Sequence, residues 1–231
     1  FGNIIGSNNF NLFIILGIVG IITPITVQSS TVWKEIPLSF LAAILLLILA
    51  NTWLFSEQAM VSRVDSLILL LVFAAFLFYV FKQMKSDEVV VQSAVPGSSM
   101  KIWLLIVIGL GGLVAGGKLV VDQSVSLAQS LGISERVIGL TIVAAGTSLP
   151  ELVTSVVAAI KKNSDIAIGN VIGSNIFNIL FILSISGLIS PIEFGLQFNR
   201  EIYILLAGTA FLFIAMFIGR RKKLDRWEAG L

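Results

Sequence analysis

The sequence predicts an all-α integral membrane protein built from an inverted repeat, and three observations lead to this fold class. Of its 231 residues, 57% are hydrophobic and 12% are charged, whereas a soluble domain carries about 25% charged residues. Seven apolar segments each approach the roughly 20 residues that a helix needs to cross the hydrocarbon core. A motif of polar residues near the first residue recurs in register near residue 169.

The seven segments are predicted to be helices, because backbone polar groups in lipid must be satisfied within the chain. Their approximate bounds are 4–24, 36–55, 64–82, 102–123, 134–160, 166–189 and 200–219. A polar stretch that contains Pro96 and Gly97 separates the third segment from the fourth. We therefore predict a first repeat over 1–82, a linker over 83–101 and a second repeat over 102–231.

The distribution of basic residues predicts the orientation in the membrane. If the linker lies in the cytoplasm, most lysines and arginines fall on the cytoplasmic side, and external loops and span ends hold only Arg63, Arg136 and Arg200. This bias fits the positive-inside rule. The net charge of +2 is too small to indicate nucleic-acid binding. The absence of cysteine and histidine excludes disulfides, thiolate metal sites and the commonest proton carrier at neutral pH.

The repeat consists of GNIIGSNNFNLFIILGIVGIITPI, which starts at Gly2, and GNVIGSNIFNILFILSISGLISPI, which starts at Gly169. The two stretches align without gaps at an offset of 167, and further on SRVDSL resembles DRWEAGL at an offset of 163. Chance similarity between apolar helices rarely keeps polar residues in register, so the chain contains two copies of one unit. An odd number of spans in each copy would orient the copies oppositely, as in many secondary transporters.

The two copies are incomplete at opposite ends, so we expect the intact protein to be longer. The second copy has two spans before its GNVIGSN helix, and the first copy has none. The first copy ends with the span 64–82, for which the second copy has no counterpart. We expect roughly 65 further residues upstream and about one further helix downstream, which would give five spans in each half.

The segment AAGTSLPEL is predicted to interrupt a spanning helix. Gly146 and Pro150 break the helix, and Thr147 or Ser148 can cap its second half. Glu151 follows in the first turn and is the only carboxylate that we place deep in the membrane. A buried charge there costs at least about 2.5 kcal/mol and indicates an ion or proton pathway. The alternative is a protonated or capping glutamate that only stabilises the broken helix.

Oxygen-bearing side chains of the repeated motif extend this candidate site. Ser7 and Asn11 are four residues apart on one helical face, and Ser174 and Asn178 repeat the spacing. Carboxylate, hydroxyl, amide and carbonyl oxygens suit hard cations, Ca²⁺ above all with Na⁺ as a competitor, and nothing here suits a soft metal. Any one of these side chains could instead form only an interhelical hydrogen bond. The motif glycines form two small-xxx-small pairs, predicted to permit close helix packing: Gly2, Gly6, Gly169 and Gly173.

Charge balance leads to a further expectation. A divalent cation at mid-membrane needs about two compensating carboxylates, and Glu151 supplies one. The repeat offset places its counterpart upstream of the first residue. We therefore expect a second acidic residue there, within a second copy of GTSLPEL, and we do not expect this chain alone to transport.

These motifs resemble a known family. The chain resembles the sodium/calcium exchanger family of the cation/calcium antiporter superfamily, and most of all its bacterial and archaeal members. The likeness lies in GTSLPEL followed by GNVIGSNIFN, with a GN-x-x-GSN copy in the first half. The resemblance covers nearly the whole chain, from the third helix of that ten-helix fold into the start of the tenth. It implies exchange of Ca²⁺ for Na⁺ by alternating access. The two ions are then transported substrates, and no cofactor and no obligate protein partner are implied.

The resemblance also implies roles for individual residues. Glu151 resembles the acidic residue that the Ca²⁺ and Na⁺ sites share. Thr147 and Ser148 resemble flanking ligands, and Ala144 resembles a ligand through its backbone carbonyl. The remaining implied contributors are Ser7, Asn11, Ser174 and Asn178. Asn178 stands where several family members carry aspartate. Because asparagine cannot ionise, this difference leaves the driving ion open, and H⁺ or K⁺ is the alternative to Na⁺.

Two other function classes compete with the antiporter. A cation channel also uses broken helices and lined pores, but its flux would be uncoupled from a counter-ion gradient. An enzyme lacks support, since Glu151 has no histidine, cysteine or second intramembrane acid with which to form a catalytic pair. The short linker favours a minimal prokaryotic transporter in the plasma (inner) membrane, with residues 83–101 in the cytoplasm and the lipid bilayer as the surrounding partner.

Overall fold

The computed structural model describes residues 1–26, 30–51, 59–86, 99–133, 138, 142–217 and 223–224. Its helices, in chain order, are α1 (Gly2–Ile22), α2 (Thr31–Ala50), α3 (Arg63–Ser86), α4 (Ser99–Ser130), α5 (Ala144–Thr147), α6 (Leu149–Ile160), α7 (Ser164–Ile189) and α8 (Phe198–Ala215). Its strands are β1 (Ile25–Thr26), β2 (Met60–Val61), β3 (Ile192–Glu193) and β4 (Lys223–Leu224).

Within the described residues, six helices are long and apolar enough to cross a membrane: α1, α2, α3, α4, α7 and α8. The predicted fifth span corresponds to the two short helices α5 and α6. The all-helical membrane architecture predicted from composition is therefore confirmed. Helix α2 begins at Thr31 rather than at the predicted residue 36, because a π-helical turn over Thr31–Glu35 keeps the chain helical ahead of Pro37.

The predicted linker is shorter than expected at both ends. Helix α3 continues to Ser86 and α4 starts at Ser99. The remaining residues of the linker, 87–98, lie outside the described residues. The division into repeats at 82 and 102 stays a prediction.

Helices α1 and α7, which carry the repeated motif, form the centre of the structure. Both contain a π-helical turn at the same place in the repeat, over Phe10–Ile15 in α1 and over Asn178–Ile182 in α7. The same repeat positions are buried in both helices: Ile5 with Ile172, Leu12 with Ile179, and Leu16 with Leu183. Each helix also packs on an outer helix of the other copy, α1 on α8 and α7 on α2. The apolar core is thus shared between the two copies.

Two short antiparallel strand pairs also connect the copies. Ile25 of β1 is opposite Leu224 of β4, and Val61 of β2 is opposite Ile192 of β3. The repeat offset of 167 converts Ile25 into Ile192, and the later offset of 163 converts Val61 into Leu224. Each strand pair is therefore the repeat equivalent of the other, as an inverted repeat requires.

The start of α3 is fixed by local hydrogen bonds. The N–H and the hydroxyl of Ser62 donate to Oδ2 of Asp65 at 2.8 and 2.6 Å, and the Asp65 N–H donates to the Ser62 hydroxyl at 3.2 Å. This is a capping box. Arg63 Nε donates to the carbonyl of Leu188 at 3.2 Å, near the C-terminal end of α7, where a positive charge is favourable. The start of α3 and the end of α7 are thereby joined.

Candidate cation site

The helix that carries Glu151 is interrupted at Ser148. Helix α5 ends at Thr147 and α6 begins at Leu149, while Ser148 takes φ −99° and ψ 5°. The Ser148 N–H donates to the carbonyl of Ala145 at 3.1 Å, a bond that spans three residues and tightens the last turn. The cap predicted from Ser148 is wrong, because Ser148 makes no capping bond, and the alternative cap from Thr147 stays a prediction. The backbone of Ser148 is not in the extended conformation that would direct the hydroxyl at the N–H groups of α6.

Gly146 allows α4 to lie directly against the break. A Cβ atom at Gly146 would overlap Cγ2 of Val121 on α4. One turn earlier on α4, a Cβ at Gly117 would lie 3.9 Å from Cβ of Leu149, which is ordinary contact. A cleft of about 430 Å³ continues between α4 and the break, with Val121, Ser124 and Gly146 among its lining residues. The glycine predicted to break the helix therefore also makes room for a neighbour.

A pair of hydroxyls joins the break to α1. Ser7 Oγ lies 3.1 Å from Oγ1 of Thr147, and Thr147 Oγ1 donates to Oδ1 of Asn3 at 3.4 Å. Glu151 is one turn beyond Thr147, and Asn11 is one turn beyond Ser7. Helix α6 also contacts the π-helical turn that contains Asn11. Four of the residues predicted as ligands thus lie on helices that meet at the break.

Four asparagines form a crossed hydrogen-bond network between α1 and α7. Asn8 Nδ2 donates to the backbone carbonyl of Asn175 at 3.3 Å, and Asn175 Nδ2 donates to the backbone carbonyl of Asn8 at 3.2 Å. Asn11 Nδ2 donates to Asn175 Oδ1 at 3.1 Å, and Asn178 Nδ2 donates to Asn8 Oδ1 at 3.0 Å. The repeat offset converts one half of this network into the other. The amides therefore lie around the axis that relates the two copies.

Two side-chain oxygens at this site are buried without a hydrogen-bond partner among the described residues: Asn11 Oδ1 and Glu151 Oε2. Asn9 Oδ1 is a third such atom in the described part of the chain. Its side chain faces α8 instead, where Nδ2 donates to the carbonyl of Glu201 at 3.1 Å. Buried polar atoms normally have a partner. An orphaned amide oxygen and an orphaned carboxylate oxygen are the ligands that a hard cation prefers.

Asn170 fixes the backbone of Glu151. Its Nδ2 donates to the backbone carbonyl of Glu151 at 3.1 Å and to Oγ of Ser155 at 2.9 Å. Ser155 in turn donates to the carbonyl of Ala167 on α7 at 3.2 Å. Helix α7 thus holds the first turn of α6 in place, and the carboxylate position depends on the GN pair of the second motif copy.

The structure gives less detail for two other predicted ligands, Ser174 and Ala144. Ser174 is half-buried on α7, one turn before Asn178. Ala144 is the first residue of α5, and its side chain lies outside the described part. In the described ranges, no group of three or more histidine, cysteine, aspartate or glutamate side chains could hold a metal ion. Within these ranges, Glu151 is therefore not part of a cluster of three or more such side chains.

The motif glycines do not share one role. A Cβ at Gly2 would lie 3.0 Å from the ring of Phe198, so this glycine permits close contact with α8. A Cβ at Gly169 or Gly173 would meet no described atom within 4 Å. The packing role predicted for Gly169 and Gly173 therefore stays a prediction. The role predicted for Gly6 stays a prediction.

Sequence reasoning missed Asn8 and Asn175 as functional residues. Both are almost completely buried, at 0% and 1% exposure, and both contact the predicted ligands. The signal was present, because each follows the serine of the shared IGSN stretch and is repeated at the offset of 167. What the sequence lacked was the information that the two copies face each other at these residues.

Comparison with known proteins identifies the family. The family described as sodium/calcium exchanger protein matches residues 1–82 and 101–231. The chain belongs to this family. The sodium/calcium exchanger family accounts for both halves of the chain, because the match includes both copies of the repeated motif and the helix break.

Individual members of the sodium/calcium exchanger family agree with this assignment. The chain is 34% identical to CaxA of Alkalimonas amylolytica, over 98% of the chain and 72% of CaxA. It is 42% identical to the sodium/calcium exchanger MaX1 of Methanosarcina acetivorans, over 57% of the chain and 37% of MaX1. The solved structure of the sodium-calcium exchanger NCX_Mj superposes with a TM-score of 0.80 at 31% identity, covering 99% of the chain and 71% of NCX_Mj. The inverted-repeat antiporter fold predicted from the sequence is thereby confirmed.

Proposed function

We propose that the protein is a secondary antiporter that exchanges Ca²⁺ for Na⁺ across the membrane by alternating access. One observation carries the proposal: buried oxygens of Asn11 and Glu151, without partners among the described residues, lie on helices that meet at a helix break. Hard cations bind such oxygens, and broken helices form the ion sites of secondary transporters. Membership of the sodium/calcium exchanger family supports the same class.

The proposed ligands combine one charge with several neutral oxygens. Glu151 supplies the charge. The neutral oxygens would come from hydroxyls, amides and one backbone carbonyl: Ser7, Asn11, Ala144, Thr147, Ser148, Ser174 and Asn178. Because Na⁺ and Ca²⁺ prefer the same oxygens, we propose that they compete for overlapping positions. Binding of one ion would then require release of the other, which couples their gradients.

Alternating access requires a helix that moves against the site. Helix α4 is a candidate for such a gating helix, because it contacts α5 and α6 beside the break. No residue in the most apolar stretch of α4 is buried. Its contact with the break includes Val121 and Gly146, where a Cβ on the glycine would overlap the valine. A sliding movement of α4 would change access to the proposed ligands without dismantling the core that α1 and α7 share. We also propose a prokaryotic plasma membrane location, with the linker in the cytoplasm.

Transport in membrane vesicles tests this function directly. Vesicles that contain the full-length protein would be loaded with Na⁺ and diluted into Na⁺-free buffer with radiolabelled Ca²⁺. We expect Ca²⁺ uptake that rises with the outward Na⁺ gradient and stops when the gradient is dissipated. Parallel vesicles would carry only a pH gradient or only a K⁺ gradient, and we expect neither of them to accumulate Ca²⁺.

Each other result would point to a different mechanism. Uptake with the pH gradient alone would contradict Na⁺ coupling and indicate a proton-driven exchanger, and uptake with K⁺ alone would indicate a K⁺-driven one. Neutral Asn178 would be the first residue to examine in either case. Ca²⁺ flux that ignores every counter-ion gradient would contradict the antiporter and indicate a channel.

A further inference from the structure

We infer that Asn8 and Asn175 are positioning residues, which orient the amides of Asn11 and Asn178 so that their oxygens remain available to a cation. The inference rests on the proposed function, because it assumes that these amide oxygens bind the transported ion. It assigns a role to two residues that we do not propose as ligands.

The orientation of the network starts at two backbone carbonyls. The carbonyl of Asn175 faces the side chain of Asn8 at 3.3 Å, and the carbonyl of Asn8 faces the side chain of Asn175 at 3.2 Å. A carbonyl can only accept a hydrogen bond. Each of these two side chains must therefore present its NH₂ group to the partner's backbone. Its Oδ1 atom then lies on the other side of the amide.

The second step transmits this orientation to the proposed ligands. Oδ1 of Asn175 lies 3.1 Å from Nδ2 of Asn11, and Oδ1 of Asn8 lies 3.0 Å from Nδ2 of Asn178. Because an amide oxygen is also only an acceptor, Asn11 and Asn178 must offer their NH₂ groups to the network. A flipped amide would place two oxygens against each other with no hydrogen between them. The amide oxygens of Asn11 and Asn178 are consequently turned away from the network.

Because the amides are buried, this orientation is obligatory rather than merely preferred. Asn8 and Asn11 are 0% exposed and Asn175 is 1% exposed, so water does not offer an alternative partner. Oδ1 of Asn11 has no hydrogen-bond partner among the described residues. An NH₂ group in that place would repel a cation, whereas an oxygen attracts it. The network thus determines whether Asn11 acts as a ligand.

The test compares Ca²⁺ binding to purified full-length protein in detergent, measured with radiolabelled Ca²⁺. Asn175→Leu removes the acceptor for Asn11, so the Asn11 amide can turn its NH₂ group toward the site. We expect the Kd for Ca²⁺ to rise about tenfold or more. The control is Asn199→Leu. Asn199 and Asn51 form a reciprocal amide pair outside the network, with hydrogen bonds of 2.8 and 2.9 Å. The loss of this pair should leave the Kd unchanged.

A carboxylate at position 11 separates positioning from a structural role. Asparagine needs to be oriented because its two terminal atoms differ, but aspartate presents oxygen in both directions. In the Asn11→Asp background, Asn175→Leu should therefore raise the Kd by less than about threefold. A purely structural role for Asn175 predicts the same loss in both backgrounds, and that result would overturn the inference.

Two further variants keep the test decisive. If Asn175→Leu does not fold, Asn8→Leu removes the equivalent acceptor for Asn178 and should also raise the Kd for Ca²⁺ about tenfold or more; unchanged binding would contradict positioning. Glu151→Gln is measured in parallel. If Glu151→Gln abolishes binding and Asn175→Leu does not weaken it, the inference fails and the proposed function stands. If Glu151→Gln also binds Ca²⁺ normally, the proposed site itself is wrong.

Discussion

Replacing Glu151 with glutamine should abolish Na⁺-driven Ca²⁺ uptake, with a loss of at least about 100-fold in initial rate. Glutamine has nearly the same shape, and the backbone carbonyl of Glu151 can still accept from Asn170. The change therefore removes charge while the first turn of α6 keeps its support. A divalent cation deep in the membrane would then lack the one carboxylate that the described part of the site supplies. Radiolabelled Ca²⁺ uptake into vesicles measures the effect.

Glu193→Gln is the matched control for this variant. Glu193 lies in β3 at the edge of the structure, and its side chain is exposed. Its replacement should leave uptake within about twofold of the unmodified protein, because an exposed charge contributes little at a distant site. Normal uptake by Glu151→Gln would show that the cation binds elsewhere. Equal losses in both variants would indicate a general effect of charge rather than a ligand.

Gly146→Ala should reduce Ca²⁺ uptake by about tenfold or more, because the added methyl overlaps Cγ2 of Val121. Valine is stiff at χ1, so α4 must move away from the break to make room. If α4 gates the site, this displacement disturbs access although no proposed ligand has changed. Uptake in vesicles, normalised to the amount of protein in the membrane, measures the loss.

A second substitution tests the steric explanation. Val121→Ala removes the overlapping methyl and leaves Cβ at 3.3 Å from the new atom, so the double variant should recover most of the uptake. Gly173→Ala is the control, since a Cβ there meets no described atom within 4 Å. An inactive double variant, or an equal loss in Gly173→Ala, would contradict the contact between α4 and the break as the cause.

The helices and their repeat were predictable because both follow from the local chemistry of the sequence. Lipid forces each apolar segment into a helix, and polar residues kept in register reveal the two copies. Strands such as β1 and β2 were not predictable, because two residues carry no alternating pattern. Their pairing depends on two chain segments that come together only after the copies pack against each other.

The candidate site was predicted in part for the same reason. The break at Ser148 follows from Gly146 and Pro150, whose effects on a helix are local. The bond between Ser7 and Thr147 joins residues 140 positions apart, and their contact depends on the packing of α1 against α5. Small residues such as Gly173 permit close packing but do not determine which helix face has a neighbour, so their partners also depend on the packing of the helices.

Competition between Na⁺ and Ca²⁺ for one group of oxygens is the central claim, and equilibrium binding tests it most directly. Purified full-length protein would be saturated with radiolabelled Ca²⁺ and titrated with Na⁺ at constant ionic strength, with choline as the replacement cation. We predict that Na⁺ displaces all of the bound Ca²⁺, and that the apparent Kd for Ca²⁺ rises with Na⁺ concentration without a plateau. Ca²⁺ that stays bound at saturating Na⁺ would contradict a shared site.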